Sequence, residues 1–397
     1  MPGGVLDLFS ELLVRLTSSR GVLSAVTGSS IAEDQFFRTE VVGGEFVVRV
    51  GDSVGGPPRR LVVIDGSSRR LGSPSFRVFI AGVAVYGLRP PIELYPSLGS
   101  AIYAMPCGKD RARFIAVKAV RDVLASIEGD GELGSFVMVR SHDGRYFGDG
   151  YNEDDISDEV RMGLEAWALE KVYNDLRSVN AGDYAVVVDG PTYLGVHEKS
   201  GLARRRIEVI GELERVGVPV VGVVKRVENS RKLCQANVLG RLGLDGVVDP
   251  KHCSDPLVVQ FVGARVSRGV LDPVVIGPFV HTHVGSGRIT GYAFPERVFW
   301  YVYSGLGPRV FRVEVLRSTY EGMRDVVDGL VRWLARSIGV DGVPYVIGVV
   351  DRYAKSLTRS LYLAFYRLAK FRSVSFTYDT EVEARQLLSE VVGGAGA

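Results

Sequence analysis

The chain has 397 residues, 46% of them hydrophobic, and 48 Lys and Arg against 46 Asp and Glu leave a formal charge of +2. Such apolar content excludes a disordered or fibrous chain. The near-neutral sum excludes a generally polybasic nucleic-acid coat but leaves local basic patches open. At about 150 residues per domain, the length allows two or three folding units or one elaborated domain.

Three cysteines, Cys107, Cys234 and Cys253, are widely spaced and odd in number. This speaks against a disulfide framework or a paired-cysteine zinc site, and for a reducing, cytoplasmic setting. The longest apolar runs, such as 218–224 and 343–350, are too short to cross a bilayer. The opening MPGGVLDLFSELLVRL has no basic start ahead of an apolar core, so it reads as an amphipathic helix and not a signal peptide. A soluble intracellular protein is expected.

In chain order, Val5, Leu8, Phe9, Leu12, Leu13 and Leu16 recur at helical spacing over 5–18. A Gly-rich stretch with one strand-like run, 45–50, completes an N-terminal helical extension over 1–56. A buried-type strand over 61–64 is expected to end at Asp65-Gly66, followed by strands 76–80 and 83–86 in an antiparallel meander. Residues 88–155 carry prolines, a helix-like stretch over 111–127 and Gly-punctuated runs, which suggest a small β-rich insertion. A long helix over 157–179 opens with a capping-box-like neighbourhood at Ser157. Strand 184–188 ending at Asp189-Gly190, helix 202–216 and strand 219–225 make a βαβ rhythm. The last third supplies helix 256–266, strands 274–279, 299–303 and 310–315, and helices 320–338 and 346–371, with 373–397 as a C-terminal tail. The expected fold is α/β, a mixed sheet flanked by helices.

Two of the strands end alike, VVID at Asp65 and VVVD at Asp189. An Asp-Gly after a strand often starts a turn. A carboxylate at the edge of a buried sheet, however, is costly unless it is paired or binds a metal. On the helix between them Glu165 falls within the apolar arc of Val160, Leu164, Ala168 and Val172, with Arg161 one turn earlier, whereas Glu170 falls on the polar side. Strand Asp, helix Glu and strand Asp are the hard oxygen donors that Mg²⁺ or Mn²⁺ prefers. Two such ions can activate water and stabilise the leaving oxygen of a phosphodiester. Asp351, where an apolar run turns into the final helix, is the candidate fourth acid.

These residues, in this order, resemble the NurA family of DNA-repair nucleases, whose core is RNase H-like. The matching stretches are Leu61 to Ser67 with Asp65, Arg161 with Glu165, Val186 to Gly190 with Asp189, Val221 to Arg226, Arg312-Val313-Glu314, and Pro344 with Asp351 seven residues later. The chain departs from the family at Val343, where an aromatic residue is usual, at Asp351, where His is frequent, and at Pro191, where Ser is usual. The resemblance implies an RNase H-like nuclease domain over 57–372. It also implies a Mn²⁺-dependent (or Mg²⁺-dependent) enzyme with Asp65, Glu165, Asp189 and Asp351 as catalytic metal ligands. The implied activities are single-strand endonuclease and 5′-to-3′ exonuclease in DNA end resection and double-strand break repair. The implied partners are DNA, a second copy of the chain and a HerA-type hexameric ATPase translocase.

Basic residues flank the acids. Lys225, Arg226, Arg69 and Arg352 are the candidates for phosphate-backbone contacts, Lys225 foremost, whereas Arg204, Arg205 and Arg206 read as solvated surface. His281 and His283 on one strand face form a possible transition-metal pair without an evident third ligand, so a structural role is expected. No phosphate-loop, HExxH or GxSxG pattern is present. The alternatives to a nuclease are an actin- or sugar-kinase-like phosphotransferase, disfavoured because Pro191 removes a donor from the second phosphate turn, and a non-catalytic DNA-binding scaffold subunit.

Overall fold

The computed structural model describes residues 4–17, 37–43, 46–50, 57, 59–88, 92–96, 112–193, 200–269, 272–284, 291–305 and 310–394. Along the chain these form α1 (Val5–Thr17), β1 (Phe37–Val41), β2 (Val47–Arg49), β3 (Arg60–Gly72), β4 (Arg77–Tyr86), β5 (Glu93–Tyr95), β6 (Ile115–Lys118), α2 (Arg121–Glu128), α3 (Leu133–Phe136), β7 (Val137–Met138) and α4 (Glu153–Leu176). Then come β8 (Tyr184–Asp189), α5 (Ser200–Arg215), β9 (Val220–Val224), α6 (Ala236–Arg241), α7 (Asp255–Val266), β10 (Val274–His283), β11 (Arg297–Tyr303) and β12 (Val310–Leu316). Helices α8 (Arg317–Gly322), α9 (Arg324–Arg336), α10 (Tyr345–Phe371) and α11 (Tyr378–Gly394) follow.

All twelve strands join one sheet in the order β1-β10-β11-β12-β9-β8-β3-β4-β6-β7, with β2 also on β10 and β5 on β4. Within it, β3, β4 and β6 form an antiparallel meander, and β8 and β9 add parallel to β3. The order third-second-first-fourth-fifth, with a long helix before the fourth strand, is that of an RNase H-like core. The β8-α5-β9 crossover supplies the parallel pairing, since parallel neighbours need a connection that returns along the sheet. Beyond β9 the sheet continues as antiparallel β12, β11 and β10.

Helix α4 covers one face of β3 and β4 and helix α10 the other. Two glycines permit the close packing. A methyl group on Gly66 would lie 2.7 Å from Oε1 of Glu165 on α4, and one on Gly82 would lie 2.7 Å from Leu357 on α10. Helix α4 starts at Asn152, whose side chain accepts from the Asp154 amide, and three acids, Glu153, Asp154 and Asp155, occupy its first turn where the helix dipole favours them. The expected cap at Ser157 lies inside the helix, because Asn152 already satisfies the free amides. Helix α1 packs on α10, with the Phe9 and Phe365 rings 5.1 Å apart.

Several boundaries differ from the sequence expectation. Strand β3 does not stop at Asp65 but runs on to Gly72, because β4 pairs it along that whole length; an Asp-Gly makes a turn only where no neighbouring strand holds it. The two short strands at 76–80 and 83–86 are one, β4. The helix expected over 111–127 is β6 followed by α2: a wholly buried apolar run does not by itself distinguish strand from helix. The helix expected over 320–338 is broken at Met323 into α8 and α9. Residues 1–56 contribute β1 and β2 to the sheet as well as a helix, and the expected tail contains α11. The latter is tied to β3 through Thr380, which accepts from the Gly72 amide at 2.8 Å, and through Glu383, paired with Arg69.

The cysteine expectation also fails. Cys234 and Cys253 form a disulfide with Cα atoms 5.6 Å apart; Cys107 lies outside the described residues. A separation of 19 residues matches no motif, and proximity comes from the fold, which brings the two ends of the α6 segment together ahead of α7. The bridge removes the ground for a reducing setting, and intracellular disulfides are common in hyperthermophiles. Replacing both cysteines by serine is expected to lower unfolding free energy by about 2–4 kcal/mol, measured by denaturant titration with and without reductant. No helix among the described residues is long and apolar enough to cross a membrane.

Candidate metal centre

Parallel pairing places Ile64 beside Val188, so the next residues, Asp65 and Asp189, stand side by side on adjacent strands. Alternation along a strand puts both on the face covered by α10. Seven residues into that helix, Asp351 reaches the same point. One carboxylate oxygen from each of Asp65, Asp189 and Asp351 lies within 4.8 Å of the others.

Burial makes this gathering electrostatically tense. Asp65 is held well above the usual carboxylate range by loss of solvation and then by the neighbouring Asp189 and Glu165 charges. Its Oδ2 is buried without a hydrogen-bond partner. Asp189 is also raised, first by burial, with Lys225 opposing the shift. For Asp351 burial is outweighed by hydrogen bonds from Lys355 and Lys225, and its carboxyl lies below the usual range. Lys225 Nζ sits 2.5 Å from Asp189 Oδ2 and 3.1 Å from Asp351 Oδ1, and Lys355 Nζ sits 2.7 Å from Asp351 Oδ2. Three carboxylates, one of which carries an orphaned buried oxygen, fit a divalent cation such as Mg²⁺ or Mn²⁺.

Glu165, expected with the three aspartates, approaches from the opposite face of the sheet. Its Oε1 accepts from Arg161 at 2.9 Å and its Oε2 from Arg206 at 3.1 Å. The structure therefore brings Glu165 against β3 at Gly66 but gives both its oxygens to guanidinium groups, outside the three-aspartate set. Arg206, expected on the surface, is buried at this contact, whereas Arg205 forms a forked pair with Glu170 on the outer side of α4.

The phosphate-contact candidates separate in the same way. Lys225 is engaged by Asp189 and Asp351, and Arg69 by Glu383 at 2.5 Å. Arg226 and Arg352 are exposed, and Arg226 borders a cleft of about 750 Å³ that Lys225, Glu228, Gln260, Asp351 and Lys355 also line. Lys355 as a partner of Asp351 escaped the sequence reading, although the four-residue spacing on one helix was a usable signal.

Behind the centre lies a second buried polar set. Glu314 on β12 accepts from the Thr192 amide at 2.9 Å, Arg297 at 3.0 Å and Arg312 at 3.0 Å. Gly222, opposite Glu314, lets β9 approach the loop after Asp189: a methyl group there would lie 2.7 Å from the Gly190 carbonyl oxygen. His281 and His283 belong to this interior. Their rings are 5.1 Å apart, and His281 Nε2 is 3.0 Å from Lys232 Nζ. Burial and then the Lys232 charge hold His281 far below its ordinary pKa, in keeping with a structural role.

An RNase H-like sheet on which Asp65 and Asp189 of adjacent strands meet Asp351 of a crossing helix defines a protein of the RNase H-like class with an acidic cluster able to hold a metal ion. The family model described as NurA domain matches residues 59–356, and the chain belongs to the NurA family. Among solved structures, the NurA nuclease from Sulfolobus solfataricus is similar at 11% identity with a TM-score of 0.40, covering 86% of this chain and 88% of that one. No curated protein matches the sequence.

Proposed function

We propose that this chain is a divalent-cation-dependent deoxyribonuclease that hydrolyses phosphodiester bonds. The observation that carries the reading is the convergence of Asp65, Asp189 and Asp351 within 4.8 Å on a NurA-family RNase H-like core. These three side chains would hold the cation. When bound, Mn²⁺ or Mg²⁺ supplies Lewis-acid activation of water and charge stabilisation at the scissile phosphate, and a pair of ions can divide those tasks.

The protein's own groups do the rest. Arg226 and Lys355 at the cleft, with exposed Arg352 beside Asp351, offer charge to the phosphate backbone without base readout. Glu165, locked by Arg161 and Arg206, fixes α4 and α5 against β3 and contributes negative charge behind Asp65. Single-strand endonuclease and 5′-to-3′ exonuclease activity in end resection, a homodimer, a HerA-type hexameric partner and a cytoplasmic site of action extend the proposal on family resemblance.

The test is incubation of the purified protein with end-labelled single-stranded and duplex DNA, with and without Mn²⁺. Degradation that needs Mn²⁺ and is lost in Asp189→Asn is expected. Cleavage by that variant at the wild-type rate would remove Asp189 from the centre, and no cleavage by the wild type under any divalent cation would overturn the activity.

A further inference from the structure

Lys225 is poorly placed for the role its sequence position suggests, and that misplacement is informative. Three aspartates and two ammonium groups, Lys225 and Lys355, share the α10 face. Their formal charges sum to −1. A divalent cation entering that set leaves an excess of positive charge, with Lys225 in direct contact with two of the three carboxylates it requires. Withdrawal of Lys225 alone leaves −2, which matches one divalent ion.

The geometry permits withdrawal. Lys225 follows the last residue of β9, its side chain is 26% exposed, and it lines the 750 Å³ cleft. Its ammonium can therefore swing outward on a flexible four-carbon stem without unmaking the sheet. Lys355 contacts Asp351 through Oδ2, and no ion pair joins it to Asp189 among the described residues.

We propose that Lys225 is a displaceable counter-ion: it closes the Asp189–Asp351 pair in the metal-free protein and is expelled into the cleft when a divalent cation binds. The proposal rests on the metal-centre reading above and adds a competitor that sets the affinity of that centre. Lys225 thus acts as a positioning residue, and cation affinity measured without nucleic acid reports it directly.

The test is calorimetric titration of MnCl₂ alone into wild type and Lys225→Met. Met keeps the length and removes the charge, so Mn²⁺ is expected to bind Lys225→Met about tenfold tighter, since a like charge in contact with the ligands opposes the ion. Lysine-directed acetylation of the wild type, read by mass spectrometry, gives a second measurement that needs no variant. Mn²⁺ is expected to accelerate modification of Lys225 several-fold relative to exposed Lys251. Equal or weaker Mn²⁺ binding by Lys225→Met, or slower labelling of Lys225 with Mn²⁺, overturns the proposal. Asp189→Asn separates the two levels. Binding to wild type that Asp189→Asn abolishes, with Lys225→Met unchanged, overturns the counter-ion and keeps the centre. No Mn²⁺ binding to wild type overturns both.

Discussion

Asp65→Asn is expected to abolish Mn²⁺-dependent cleavage while making the metal-free protein more stable. The two effects share one cause. Ionised Asp65 is buried, faces Asp189, and has an Oδ2 without a hydrogen-bond partner. Asparagine keeps the shape and removes the charge that the metal-free fold must tolerate. A gain of about 1–2 kcal/mol, which for a chain of this length is roughly 1–2 °C in Tm, is the scale expected for relieving a strained functional site. The sign with pH follows from the raised carboxyl. Its contribution to stability is fully present below the unfolded-state pKa, near 3.9, and is lost as pH rises through the elevated folded value. The advantage of Asp65→Asn over wild type therefore widens from acid toward neutral pH. Adding Mn²⁺ reverses the ranking, because a ligand that binds only the native wild type stabilises it by about 2.7 kcal/mol at a hundredfold excess over Kd. Thermal melts from pH 4 to 8, with chelator or Mn²⁺, read both halves; a variant less stable than wild type in chelator at pH 8 would show that Asp65 is not under strain.

Glu314→Ala is expected to be the most damaging single change outside the centre, costing about 3–5 kcal/mol because removal of one partner strands buried opposite charge. Arg297 and Arg312 would lose their shared acceptor in the interior, and the Thr192 amide would lose its own. The carboxyl of Glu314 is held down at about 2: burial alone would raise it, and Arg297 and Arg312 outweigh that. A depressed carboxyl contributes stability above its unfolded pKa, about 4.3, and loses it as pH falls toward 2. Denaturant titrations should accordingly show the gap between wild type and Glu314→Gln at pH 7 closing near pH 2. Because Thr192 follows Asp189 by three residues, Glu314→Gln is also expected to weaken Mn²⁺ binding; unchanged stability and unchanged metal affinity would mark the network as idle.

The strands bearing Asp65 and Asp189 were legible because an unbroken β-branched run that ends in a carboxylate is chemically unusual. Their adjacency was not legible, since it depends on the parallel register between β3 and β8. Asp351 could be named but not justified, because only the path of α10 across the sheet brings it to the other two. Glu165 illustrates the opposite limit. Helical periodicity correctly put it on the buried side of α4, yet periodicity carries no information about which face of the sheet that helix covers or which arginines wait there. The disulfide and the continuous β3 share the same explanation: each is decided by a neighbour distant in sequence.

The sheet ends on one side at β1, five residues whose outward positions are Arg38 and Glu40, paired with each other at 2.9 Å and both exposed. Charged side chains on an edge strand discourage a further strand from adding. The charged β1 edge therefore opposes a continuous sheet shared between two copies of this chain at that side, so that a dimer formed away from β1 leaves the hydrogen bonding of each sheet unchanged at this edge.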